Sequence, residues 1–234
     1  MRLPLSARLA LCASLIPPCQ TVADVGTDHG HLPIWLLKKG VCRTAIAADL
    51  REKPLQTARR NAERFGTADK TAFFCSDGLQ ALTPGSFDVL VCAGMGGDCI
   101  AGILAAAPWL CDPRYTLILQ PQSSGNDLRR WLGEHGFSIE TERLVRDGGF
   151  LYAALRARYG GGRPLSPGEQ FVSPALRAAE DPLLPEYLAR LLRSLEQTVA
   201  GISRGRTEDD RRKLAYYGAA LAELRAIKQE TGGQ

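Results

Sequence analysis

Residues 21–39, TVADVGTDHGHLPIWLLKK, govern how the rest of the chain is read. The β-branched and apolar run 21–25 reads as a strand. It breaks at Gly26-Thr27-Asp28-His29-Gly30, and a helix-like run with Pro33 near its start follows. Strand, glycine turn and helix start are the layout of a nucleotide-binding loop, where free backbone N–H groups face the ligand. A dinucleotide loop has glycine where Asp28 stands, because a carboxylate at that point repels a pyrophosphate. The loop therefore calls for a ligand that tolerates an acidic neighbour.

The chain has 234 residues, enough for one sizeable core, with 45% hydrophobic and 23% charged residues, as in ordinary globular proteins. A net charge of +4 suits an acidic partner such as nucleic acid but does not single one out. Seven cysteines, at 12, 19, 42, 75, 92, 99 and 111, form no C-x-x-C pair, and several lie in apolar runs. That pattern implies reduced thiols in a cytoplasmic protein and excludes a disulfide framework or a zinc site. Residues 1–18 carry Arg2 and an apolar run, as a secretion signal would. Pro4, Ser6 and Arg8 interrupt it, and it reads as an amphipathic helix ending at Pro17-Pro18. No segment reaches the roughly 20 apolar residues that span a bilayer.

Beyond the opening loop, strands at 44–50, 71–75, 87–94 and 115–121 alternate with helix-like stretches at 53–65, 98–107 and 123–136. Apolar strands separated by helices imply a parallel sheet covered on both faces. After Gly136, FSIETERLV and FLYAALRARY flank an Asp-Gly turn and read as a β-hairpin. The expected fold class is α/β, and parallel strands ending in an antiparallel hairpin resemble the Rossmann-like sheet of class I methyltransferases. Gly160-Gly161-Gly162 with Pro164 and Pro167 marks a boundary, giving a domain at 1–160 and a helical part at 161–234. In the latter, two helical patterns near 182–204 and 208–230 place Leu188, Leu191, Leu192 and Leu195 opposite Leu214, Tyr217, Leu221 and Leu224, a coiled-coil-like antiparallel hairpin.

Ligands of open α/β sheets lie outside the carboxyl ends of the strands. Here those ends carry Asp24, Gly26, Asp28 and Gly30 at the first, Asp49 at the second, Asp77 and Gly78 at the third, and Ala93-Gly94-Met95-Gly96-Gly97 at the fourth. S-adenosylmethionine has no phosphate, and its sulfonium and amino groups are cationic. Carboxylates in its site are therefore favourable. Gly26 and Gly30 allow close backbone approach, Asp24 orients the loop or meets the amino end, Asp49 is spaced to accept both ribose hydroxyls, and Asp77 accepts from the adenine amino group. Each has a plainer reading as a turn or helix cap; their conjunction favours the cofactor.

LSARLALCASLIP (5–17), ADVGTDHGHLP (23–33), AGMGG (93–97) and LILQP (117–121) together resemble the bacterial tRNA (adenine-22-N1)-methyltransferase family, over nearly the whole chain. That family has Gly-Glu at the second strand end, where this chain has Ala48-Asp49, a shorter carboxylate. The resemblance implies S-adenosylmethionine as methyl donor and tRNA as substrate. Adenine N1 is a lone-pair nucleophile at neutral pH, so catalysis rests on positioning and on stabilising the charge that develops on the ring. Asp28 is the candidate for the second task and His29 for shaping the pocket, against the alternative that Asp28 caps the next helix and His29 packs. His29, His31 and Asp28 lack further partners for a metal. AGMGG stands where amino-methylating relatives carry an Asn/Asp-Pro-Pro-aromatic motif, which fits a ring-nitrogen target, with Gly94, Met95 and Gly96 lining the transfer pocket.

Candidate phosphate contacts are Arg8, Arg51, Lys53, Arg59, Arg60 and Arg64, and on the helical hairpin Arg204, Arg206, Arg211 and Arg212. Two rivals remain: a methyltransferase acting on a protein or small molecule, and a non-catalytic RNA-binding protein that keeps a cofactor pocket. The sequence leaves the oligomeric state open.

Overall fold

The computed structural model describes residues 3–203, 205 and 207–232. Arg204 and Arg206, two of the phosphate candidates, lie outside the described residues. The opening segment forms helix α1 (Ala7–Leu15), whose start is capped by Ser6 accepting from the Leu9 N–H. Strand β1 (Cys19–Val25), helix α2 (His31–Lys39), strand β2 (Cys42–Asp49), helix α3 (Glu52–Phe65) and strand β3 (Thr71–Cys75) follow. The second half of the sheet domain contains β4 (Val89–Gly96), α4 (Gly97–Ala105), β5 (Thr116–Ser123), α5 (Gly125–Glu134), β6 (Phe137–Asp147) and β7 (Phe150–Tyr159). The boundaries lie within a few residues of those read from periodicity. One difference is informative: β4 continues through the glycines to Gly96, with an irregular register against β5 around Met95. The AGMGG run is thus a bulged strand end, and its turn comes later than expected.

The strand order is β3-β2-β1-β4-β5-β7-β6. β1 pairs in parallel with both β2 and β4, and β4 with β5; β7 runs antiparallel to β5 and β6. The turn between β6 and β7 holds Gly148 and Gly149 at φ +55° and +82°, the positive angles a tight hairpin needs. Alternation along the strands separates two cores. Ala23, Leu90, Cys92, Leu117 and Leu119 face α4 and α5, whereas Val22, Val89, Val91 and Ile118 face α1 and α2. Helices therefore leave β1 and β4 toward opposite faces, and a crevice opens between the two strand ends.

Helix α6 (Pro174–Ala178), a short element without a counterpart in the sequence reading, precedes α7 (Leu184–Ile202) and α8 (Glu208–Gly232). The two long helices pack through Leu188, Leu192 and Leu195 against Leu221 and Leu224, and the same cluster takes in Leu144 of β6 and Ala153 of β7. Leu191, Leu214 and Tyr217, expected in that seam, are half-buried. The helical part thus shares its core with the β-hairpin.

A buried ion pair fixes the junction. Arg129 on α5 is 1% exposed and Glu142 on β6 is fully buried. The Arg129 Nε donates to the Glu142 carboxylate at 3.1 Å, and its Nη1 to the Gln170 carbonyl at 3.2 Å. Ser173 donates to the same carboxylate, and the Tyr216 hydroxyl donates to Gln170 Oε1 at 2.7 Å. Burial works against the Arg129 charge, but Glu142 outweighs it and raises the guanidinium above its ordinary range. Removing one partner strands the other charge. Arg129→Ala should cost about 3 to 5 kcal/mol in urea denaturation, and Arg129→Lys, which keeps the charge but not the planar fork, should recover only part of it.

Candidate functional site

The loop after β1 is held by the end of β2. The Gly26 and Thr27 N–H groups both donate to the Ala48 carbonyl, at 2.9 and 3.0 Å, and the Asp28 N–H donates to Asp49 Oδ2 at 3.2 Å. The Thr27 hydroxyl donates to Asp24 Oδ2 at 2.7 Å, and the Asn61 amide of α3 donates to the His29 carbonyl at 2.9 Å. Two glycines are sterically required. Gly26 has φ +76°, and a Cβ there would touch Met95; Gly30 has φ +70°, and a Cβ there would lie 3.0 Å from that of Ala58. Gly30 is the residue before α2 and no side chain caps that helix, so Asp28 is not its cap. Instead Asp28 is itself in the left-handed region, φ 52°, which aspartate adopts more readily than most non-glycine residues.

These groups open onto one cavity of about 570 Å³, within the range of small-molecule sites. It brings together Asp24, Gly26, Asp28, His29, Asp49, Asp77, Gly78, Gly94 and Met95 from four strand ends, as the sequence placed them. Gly30 and Gly96 are exceptions. Gly30 packs behind the loop against Ala58, and a Cβ on Gly96 would meet Asp98 and Ser123, so neither lines the cavity. The carboxylates differ in environment. Asp49 is buried, with its two oxygens accepting from the Asp28 and Arg51 N–H groups, and each oxygen keeps a lone pair for a ligand. Asp28 stays exposed, with His29 Nε2 3.6 Å from it. Asp24 lies beneath the loop: burial raises its carboxyl from 3.8 to about 6, the Thr27 hydrogen bond opposes that rise, and Asp49 adds to it.

Four further lining residues, His31, Leu50, Gln122 and Arg8, were not assigned to the cofactor pocket from the sequence. His31 faces the cavity, and burial, together with His29, holds its imidazole below the ordinary value, so it is neutral at pH 7. Leu50, an apolar residue left 65% exposed, follows Asp49 at the rim. Gln122 at the end of β5 lies with its amide nitrogen 3.6 Å from where a Gly94 Cβ would stand. Arg8 is turned inward. Its backbone N–H and Nε donate to Asp147 at 3.2 Å each, its Nη1 donates to buried Gln120 at 3.0 Å, and its guanidinium lies over the Tyr152 ring at 5.2 Å. It braces α1 to β5 and the hairpin and is not a free phosphate contact. Arg51, Lys53, Arg59, Arg60 and Arg64 remain on the surface around α3, Arg59 stacked over Phe73 at 4.7 Å, and Arg211 and Arg212 are exposed on α8. Among the described residues no cluster of three or more His, Cys, Asp or Glu has the arrangement of a metal site, and no helix is long and apolar enough to cross a membrane.

A family model described as a methyltransferase domain matches residues 5–155. The chain is 30% identical over 232 residues to the tRNA (adenine(22)-N(1))-methyltransferase of Bacillus subtilis, covering 96% of this chain and 97% of that protein. A crystal structure of the B. subtilis m1A22 tRNA methyltransferase superposes with a TM-score of 0.86 at 28% identity, covering 97% of this chain and 100% of that one. A Streptococcus pneumoniae protein provisionally assigned the same activity, solved with S-adenosyl-L-methionine, superposes with a TM-score of 0.81 at 29% identity, covering 96% and 100%.

Asp24 generates a pH test. Its folded pKa, about 6, lies above the unfolded value of 3.8, so between these the folded protein keeps a proton that the unfolded chain has released. The resulting stability is fully present below about pH 4 and is lost as pH rises through 6. Asp24→Asn should therefore raise the melting temperature of the ligand-free protein at pH 8 more than at pH 4.5, a difference of up to about 3 kcal/mol in chemical denaturation.

Proposed function

We infer the roles of the site residues from one premise: the chain belongs to the tRNA (adenine-22-N1)-methyltransferase family. It transfers a methyl group from S-adenosylmethionine to N1 of adenine 22 in tRNA. The observation that supports the residue roles is the single crevice that brings Asp28, Asp49, Asp77 and Met95 together. Its wall chemistry fits the cofactor: carboxylates at the strand ends suit a cationic nucleoside, and the glycine at 26 leaves no Cβ in the way.

When bound, S-adenosylmethionine supplies a methyl group on cationic sulfur. Asp49 accepts from the ribose hydroxyls, Asp77 accepts from the adenine amino group, and the Asp24 charge under the loop favours the amino end. Gly26, Gly94 and Met95 shape the wall at which the methyl is delivered. Asp28 accepts from the 6-amino group of the target adenine and offsets the positive charge the ring acquires as N1 takes the methyl, which needs no general base. His29 orients that base. The helical part from residue 161 on, the cations around α3 and Arg211 hold tRNA phosphates, giving salt-dependent affinity in the cytoplasm, where the substrate resides.

Incubation with labelled S-adenosylmethionine and unmodified tRNA, followed by nucleoside mass spectrometry, should yield N1-methyladenosine; label only in another nucleoside, or none, would refute the assignment. Asp28→Asn should lower kcat about a hundredfold while leaving cofactor affinity by calorimetry nearly unchanged. Equal loss in both would remove Asp28 from the chemistry. Asp49→Ala should weaken cofactor affinity by about tenfold or more, as loss of hydrogen bonds to a charged group does, and unchanged affinity would refute the ribose role.

A further inference from the structure

A second cavity, of about 420 Å³, adjoins the first, and Gln122 belongs to the walls of both. Its rim is the turn from β5 into α5, including Ser124 and Asn126. Tyr152 of β7 forms one side, and Phe171 and Tyr187 of the helical part form another. Arg129 reaches it from below with its charge already held by Glu142. The rim is strained: Ser124 sits at φ 51°, outside the conformations a serine prefers. The cause is local. The Ser124 carbonyl oxygen stands 2.2 Å from where a Cβ of Gly97 would be, so the rim of the second cavity packs directly against the end of the AGMGG segment.

We propose that this second cavity is a subsite for the nucleobase adjoining the methylated adenine. The proposal rests on the tRNA reading above and deepens it. Reaching an N1 edge in folded tRNA requires the target to leave its stack, which deprives the neighbouring base of a stacking partner. The cavity supplies one. The rings of Tyr187 and Phe171, and the face of Tyr152 that Arg8 leaves uncovered, suit stacking, the amides of Asn126 and Gln122 suit the edge of a base, and no carboxylate among the described lining residues repels the RNA backbone. Two cavities with one shared wall residue suit two consecutive nucleotides of one strand. The helical part then serves as a wall of the substrate site besides contacting phosphates.

The test uses the full chain and tRNA transcripts bearing an abasic residue on the 5′ or the 3′ side of the target adenine. With the unaltered protein, one of the two should raise KM for tRNA about tenfold, as loss of one stacked base does, with little change in kcat. Ser194 is exposed on α7 at the cavity's edge, so Ser194→Trp fills the space without entering the core. That variant should raise KM for intact tRNA by a similar factor, leave cofactor affinity unchanged and show no further penalty for the abasic tRNA. Indifference of the unaltered protein to both abasic positions, or additive penalties in the variant, would overturn the subsite. Should the variant fail to fold, judged by circular dichroism, the abasic pair still decides. Absence of any tRNA methylation would instead remove the reading on which the subsite rests, so the two failures are distinct.

Discussion

β1 and β4 lie side by side while the helices that follow them cover opposite faces of the sheet, and this one geometric constraint locates every group of the site. Between two strand ends whose continuations diverge there is nothing to fill the space but ligand. The acidic loop after β1, Asp49 at the end of β2, Asp77 after β3 and Met95 near the end of β4 border that crevice because the sheet order brings four strand ends together. The order also explains why residues far apart in sequence act jointly: the Asp28 N–H is tied to Asp49, and Gly26 is packed by Met95.

The crevice is maintained at a cost in stability. Asp24 is buried beneath the loop, where its ionised form is disfavoured, and Asp28 is held at a positive φ. The buried carboxyl of Asp24 is a departure from what packing alone would select, and both residues border the cavity. The Arg8 brace belongs to the same economy of placement. By spanning Asp147, Gln120 and Tyr152 it fixes α1 against β5 and the hairpin, and places Arg8 in the wall of the crevice.

The Arg129–Glu142 pair determines how the helical part relates to that crevice. Paired charges buried among Ser173, Gln170 and Tyr216 tolerate little displacement, because each shift exposes an unpaired ion to an apolar surround. Together with the core shared by Leu144, Ala153 and the long helices, this makes α7 and α8 a fixed extension of the hairpin. Phe171 and Tyr187 thereby stand beside Tyr152 around the second cavity.

Local physics made much of this legible from residues alone. Strand and helix periodicity gave the α/β alternation and the closing hairpin, because burial on one face imposes a period on any sequence. The position of Gly26 and of the strand-end carboxylates around one cavity was legible because turn geometry and strand order restrict where such residues stand. Other features depended on which distant segments meet. Arg8 read as a surface cation until its partners, over a hundred residues away, were in place. Gly96 looked like a lining glycine, yet its neighbours turned out to be Asp98 and Ser123. Arg129 and Glu142 are 13 residues apart on a helix and a hairpin strand, with nothing local to mark them as a buried pair, and the second cavity has walls from three separate segments. A chain's periodicity records what each residue must bury; the identity of the partner it buries against is set by the packing of the whole sheet and its helices, and is written in no local pattern.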